Sequence, residues 1–156
     1  MATQFEWLKL DFGKHEGKTL PQVALSDPDY FFWAVSHRIF RDPLTEQADE
    51  IAAKATRIKI PKPDPEHWRI KYQFSYDDKF QNFSIIPAKD ADLHSSHAII
   101  GPCLDLSVPR SFKRYDKFGY SHLLKKFREV FFEGANLTKE RCENFFFIDA
   151  NFEYGC

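Results

Sequence analysis

The sequence predicts an α+β fold, with a helical N-terminal module joined to a small antiparallel-sheet-plus-helix region. Three observations predict it. Apolar residues recur at helical spacing through the first third of the chain. Pro61, Pro63 and Pro65 then interrupt it. Beyond them Trp68, Ile70, Tyr72 and Phe74 alternate with Arg69, Lys71, Gln73 and Ser75, the period of two expected of a half-buried strand.

The chain has 156 residues, 43% hydrophobic and 29% charged, a composition that excludes a disordered chain. Its 22 basic and 23 acidic residues give a net charge of −1. That balance argues against a wholly basic nucleic-acid binder and against a strongly acidic DNA mimic. Nothing in Met1–Trp7 reads as a secretory leader. No run approaches the ~18 apolar residues of a membrane span. Cys103, Cys142 and Cys156 are odd in number and widely spaced, so no disulfide framework is expected. A reducing, cytoplasmic setting away from membranes follows.

Each element has a local reason. Phe5 to Phe12 suits a short extended segment, and Gly13 and Gly17 bracket a turn. Thr19 to Leu25 suits a short helix with Pro21 in its first turn. Asp27 before Pro28 is a helix start, and the apolar run Tyr30–Val35 predicts a helix buried on most sides, with Trp33 packed on Phe12 and Leu20. Asp42-Pro43 repeats the start signal, followed by Leu44, Ala48, Ile51, Ala52 and Ala55 on one helical face. These residues define a module over 1–57. A proline-rich seam covers 58–66, because such residues fit neither a helix interior nor a central strand. An α+β region over 67–156 follows.

In that region Asp77 and Asp78 suit the turn of a hairpin whose second strand carries Phe80, Phe83, Ile85 and Ile86. Residues 87–111 lack a clean period and read as loop. Lys117–Phe132 is the clearest helix. Tyr120, Leu123, Leu124, Phe127, Val130 and Phe131 fall within an arc of about 120°. Asp116 caps its start and Gly134 ends it. Phe145–Ile148 and Asn151–Tyr154 are expected as terminal strands.

The segment Asp11-Phe12-Gly13-Lys14-His15-Glu16-Gly17-Lys18-Thr19-Leu20, followed by Tyr30 and Trp33, has a recognisable order and spacing. It resembles the exodeoxyribonuclease X-like C-terminal domain, also known as a putative quorum-sensing-regulated virulence factor family. That family carries an F-G-K-x-x-G-x-x-L turn and then a helix with Tyr and Trp three residues apart. Phe12, Gly13, Lys14, Gly17, Leu20, Tyr30 and Trp33 match it, over about a third of the chain. The resemblance implies a bacterial or phage setting and work alongside DNA-processing enzymes. It supplies no catalytic residue. The residues themselves suit a turn whose glycines take positive φ. Lys14, Lys18 and nearby amides could meet an anion there.

Nuclease patterns fail on inspection. Asp149-Ala150-Asn151 has an amide where a second metal-binding carboxylate belongs. Asp64 followed by Asp77, Asp78 and Lys79 imitates a restriction-type motif, but the latter three suit a solvated turn. Asp90, Asp92, His94, His97 and Cys103 hint at zinc without an ordinary fourth ligand, so no metal or cofactor is expected.

The near-neutral total hides an asymmetry. Residues 110–133 carry seven basic and three acidic groups. Arg110, Lys113, Arg114, Lys117, Lys125, Lys126 and Arg128 collect there, interleaved with Phe112, Tyr115 and Phe118. On the helix, Phe118, Lys125, Arg128 and Phe132 lie within about 80° of one another, away from the apolar stripe. Cations with aromatics are what phosphate contact and base stacking need. The expected binding residues are therefore Lys14 and Lys18 with Arg110, Lys113, Arg114, Phe118, Lys125, Arg128 and Phe132. The expected partner is nucleic acid or a nucleic-acid-handling protein. The expected role is that of a non-enzymatic accessory protein. The alternative is a protein-interaction module, such as a phage-encoded inhibitor of a host or defence enzyme.

Overall fold

The computed structural model describes residues 6–94 and 96–153, leaving out the side chain of His94. The fold is α+β. Three helices come first: α1 (Leu20–Ser26), α2 (Pro28–Ser36) and α3 (Leu44–Ala55). A three-stranded antiparallel sheet follows, built from β1 (Trp68–Phe74), β2 (Phe80–Pro87) and β3 (Ala98–Gly101). The helices α4 (Lys117–Phe132) and α5 (Lys139–Phe147) complete the chain, with short 3-10 turns between elements.

The start signals at Thr19 and Asp27-Pro28 fall where the sequence implies, whereas at Asp42-Pro43 the proline takes the N-cap position and α3 begins one residue later, at Leu44. Thr19 occupies the N-cap of α1 in extended conformation, and its amide donates to Oε1 of Gln22 at 3.0 Å. Pro28 opens α2. The opening segment is strapped to α3 by Gln47, which accepts from the Leu8 amide and donates to the Glu6 carbonyl, both at 3.1 Å. Lys9 makes one isolated bridge to Thr19 and no longer strand.

Burial around α2 corrects one expectation. Phe31, Phe32 and Ala34 are buried, but Trp33 is 40% exposed. Trp33 is therefore not the buried residue expected against Phe12 and Leu20; its ring lies 5.9 Å from Tyr30 and 5.0 Å from His37. Trp33 sits about 200° around the helix from Phe31, so burying Phe31 turns it outward. A wholly apolar run does not say which side faces the core.

In the sheet β1 is central, in the order β2-β1-β3. Ile70 stands opposite Ile85 and Gly101, and Tyr72 opposite Phe83 and Ile99. Ile70, Tyr72 and Phe83 are buried, as the alternation demands. β3 lies within the stretch expected to be loop, since four residues are too few to show a period. Helix α4 packs against β2. Asp116 joins them: Oδ1 accepts from the Gly119 amide and Oδ2 from the Phe80 amide, both at 2.8 Å.

The C-terminus corrects a second expectation. Phe145–Phe147 belongs to α5, and Asp149–Asn151 is a 3-10 turn, so the expected terminal strands do not form. Thr138 caps α5 by accepting from the Arg141 amide at 3.2 Å. Cys142, Phe145 and Phe146 are buried at spacings of three and four, the helical period. Tyr154 lies outside the described residues. Phe152 makes a single bridge to Ile58.

That bridge bears on the proline-rich seam. Ile58 pairs with Leu104 on one side through 3.0 and 2.9 Å hydrogen bonds. On the other side Lys59 donates to the Asn151 carbonyl at 2.8 Å, and Glu153 to that of Arg57 at 2.9 Å. Ile58 and Ile60 are buried within one hydrophobic cluster that holds residues from both halves of the chain.

Candidate binding surface at the start of α4

The glycine turn is closed by two backbone bonds, Leu10 amide to Lys18 carbonyl at 2.9 Å and Gly17 amide to Leu10 carbonyl at 2.8 Å. Gly13 and Gly17 take φ of 75° and 86°, which explains glycine at both. The turn points its side chains inward at one carboxylate. Asp27 Oδ2 accepts from Lys14 Nζ at 2.9 Å and from His15 Nε2 at 3.0 Å. Oδ1 accepts from the Tyr120 hydroxyl of α4 at 2.6 Å. Lys18 Nζ donates to His15 Nδ1 at 3.3 Å. Asp27 thus stands at the N-cap of α2 without capping it through its side chain; three donors have claimed its oxygens. Burial pushes the carboxyl pKa up, but the hydrogen bonds from Tyr120, Lys14 and His15, with the charge of Lys14, outweigh it and hold it at about 2.

Lys113 joins this cluster from the other half of the chain. Its Nζ lies 3.3 Å from Asp29 Oδ2 and 5.5 Å from the Tyr120 ring centroid. The Tyr120 hydroxyl also accepts from the Asp29 amide at 3.2 Å. The fold therefore gathers Lys14, Lys18 and Lys113 around the start of α2, where Lys14 and Lys113 are ion-paired.

The cations beyond them are differently placed. Arg114, Lys117 and Lys125 are exposed and form no ion pair among the described residues. Phe118 is 92% exposed, beside them at the start of α4. Two tyrosines lie close by. Tyr115 is 53% exposed and donates to the Asp78 carbonyl of the hairpin turn at 2.8 Å. Tyr76, in that same turn, is 88% exposed. Asp116 pins the helix start to Phe80, just after the turn. Sequence reasoning did not single out Tyr76, which the hairpin turn carries; that turn is bonded to Tyr115 through the Asp78 carbonyl.

Other expected residues lie elsewhere. Phe112 is fully buried, stacked on Phe80 at 5.2 Å. Arg110 is exposed, with Nη1 at 3.5 Å from the Phe32 carbonyl. Arg128 is half-buried, and its buried Nε has no partner among the described residues. Phe132 is half-buried, 5.7 Å from Phe127 and 5.4 Å from Phe145. Phe118 and Phe132 share a helix direction but stand about 21 Å apart along the axis. One angular face of α4 is thus two separate surfaces.

Cys103 is disulfide-bonded, which corrects the expectation that no disulfide forms, whereas Cys142 is a free buried thiol. Widely spaced cysteines do not show which of them the fold brings together. Among the described residues, no group of three or more His, Cys, Asp or Glu side chains converges as a metal site. His97 is exposed; the side chain of His94 and all of Cys156 lie outside the described residues. Asp149 is exposed, 3.6 Å from Lys54 Nζ. No helix among the described residues is long and apolar enough to cross a membrane. The chain matches no family model, no curated protein and no solved structure.

Proposed function

We propose that this protein is a non-enzymatic bacterial or phage accessory protein that binds nucleic acid at the start of α4. One observation carries the reading. Phe118 and Tyr115 are exposed beside Arg114 and Lys117, which are free of ion pairs among the described residues, and Tyr115 is bonded to the hairpin turn that carries the exposed Tyr76. A phenylalanine ring fully in water at a helix start gains nothing for folding. Stacking of a base on such a ring is favourable by about 1–3 kcal/mol, and nearby cations take up phosphate charge. The resemblance of residues 11–33 to a module found beside DNA-processing enzymes supports the same reading.

A second reading has its own observation. Phe147 and Ile148 are exposed at the end of α5. Ile148 there lines a groove of about 670 Å³ with Val130, Phe131 and Phe145, bordered by Lys59, Lys62, Glu133 and Arg141. Such a face fits a protein-interaction module acting on a nucleic-acid-handling enzyme.

The test is a titration against single-stranded and duplex DNA at two salt concentrations. Wild type is compared with Phe118→Ala and with an Arg114→Glu, Lys117→Glu double variant. Binding that weakens with salt at a log–log slope of about −0.7 per phosphate on single strands, and that both variants lose, supports nucleic acid. No binding at low salt, or curves that the variants leave unchanged, transfers the function to the protein-interaction reading.

A further inference from the structure

A second site lies apart from the start of α4 and shares no residue with it. The end of α2, the link to α3 and the opening segment enclose a cleft of about 710 Å³. That size falls within the range of small-molecule sites. Its apolar wall is formed by Leu8, Phe12, Ile39 and Leu44. Lys9, Arg38 and Arg41 supply three cations, and none of them forms an ion pair among the described residues, although Asp11 and Asp42 line the same cleft. His37 closes one side. Its Nδ1 donates to the Trp33 carbonyl at 2.9 Å, and its ring lies 5.0 Å from the indole of Trp33, tilted by 30°.

Arg38 adds a backbone observation. It follows the end of α2 with φ of 56°, the left-handed position where glycine is the default. The Ile39 amide returns to the Ala34 carbonyl at 2.9 Å, which holds the chain in that turn. An arginine there carries strain that glycine would not. Its exposed side chain lines the cleft and forms no ion pair among the described residues.

Two guanidinium forks suit phosphate oxygens, because a planar fork can make paired hydrogen bonds to them. A Phe ring, a His ring and aliphatic neighbours suit a flat apolar body. Asp11 and Asp42 suit hydroxyl or amino donors on that body. We propose that this cleft binds a small ligand made of a phosphate joined to a ring, of the mononucleotide class.

The experiment is calorimetric titration of the whole protein with adenosine monophosphate and thymidine monophosphate, and with adenosine and inorganic phosphate alone. Saturable one-site binding of a monophosphate is expected, with each half alone at least about tenfold weaker. Arg41→Gln and Arg38→Gly should each weaken binding about tenfold or more, as for loss of a charged hydrogen bond. Arg38→Gly is the informative variant, because it relieves the left-handed backbone and should leave the melting temperature unchanged or raised. Absence of saturable binding by wild type, inorganic phosphate binding as tightly as the nucleotides, or undiminished binding by folded Arg38→Gly would each overturn the assignment.

Discussion

Asp27 shows what a single side chain does here. It ties the glycine turn, the start of α2 and Tyr120 of α4 into one hydrogen-bonded knot. Removing its charge strands buried donors, so Asp27→Asn should cost about 3 kcal/mol at neutral pH, read from the denaturant midpoint. The pH dependence has a definite sign. A carboxyl held at about 2 in the folded state binds fewer protons than in the unfolded chain. It therefore contributes stability that is present above pH ~4 and lost as pH falls toward 2. The variant should lack that acid-limb loss, and the two proteins should converge at the acid end. Cys142 makes a second test. Burial pushes its thiol up to about 12, with Glu143 adding to the rise. It should resist alkylation at pH 8 in the folded protein and react once denatured, as followed by peptide mass. The Asp27-Pro28 pair was legible as a helix start. The partner Tyr120, 93 residues away, was not, because no local pattern marks the far end of a long-range hydrogen bond.

At the scale of elements, helix α4 was legible to the residue, since its cap and apolar stripe are all local. Its glycine carries information too. Alanine in a helix interior is ordinarily favoured over glycine by about 1 kcal/mol. At Gly119 a Cβ would run into the Asp116 carboxylate and come within 2.9 Å of Phe80 Cβ. Gly119→Ala should therefore destabilise by about 1–3 kcal/mol, because the carboxylate that caps α4 and holds β2 cannot yield. Trp33 tests the corrected face of α2. Half in water and touching mainly Tyr30 and His37, it should cost only about 1 kcal/mol as Trp33→Ala, whereas the buried Phe31→Ala should cost about 3–5 kcal/mol. Equal losses at the two positions would mean that the indole is buried after all. Helix α5 was misread because Phe145–Ile148 is a short apolar run, and such runs do not distinguish a strand from a buried helix face. Thr138 and Cys142 upstream carry the helical signal.

Across the whole molecule, the proline-rich seam is the informative region. Prolines stop a helix or an inner strand, but Ile58 and Ile60 between α3 and those prolines still reach the core. The backbone at residues 57–59 is bonded to Leu104 on one side and to the Asn151 and Glu153 region on the other. One hydrophobic cluster spans both halves, so we expect a single cooperative thermal transition. Ile58→Ala should lower it by the equivalent of about 2–5 kcal/mol without splitting it. Two resolved transitions, with only the later one moved, would show halves that unfold independently.

By itself the sequence determined the α+β class, the helix starts at Thr19, Asp27 and Asp116, the hairpin with its turn at Asp77 and Asp78, and the excess of cations near α4. All of these depend on residues within a few positions of one another, where periodicity and capping act. The tertiary structure alone decided which cations are paired, which aromatics stand in water, and where β3 lies. Lys14 and Lys113 are neutralised because the fold brings Asp27 and Asp29 to them, and the hairpin turn meets the start of α4 because Tyr115 bonds to Asp78 and Asp116 to Phe80. Whether a charge or a ring is available to a partner depends on what the rest of the chain packs against it, and that is settled by contacts distant in sequence.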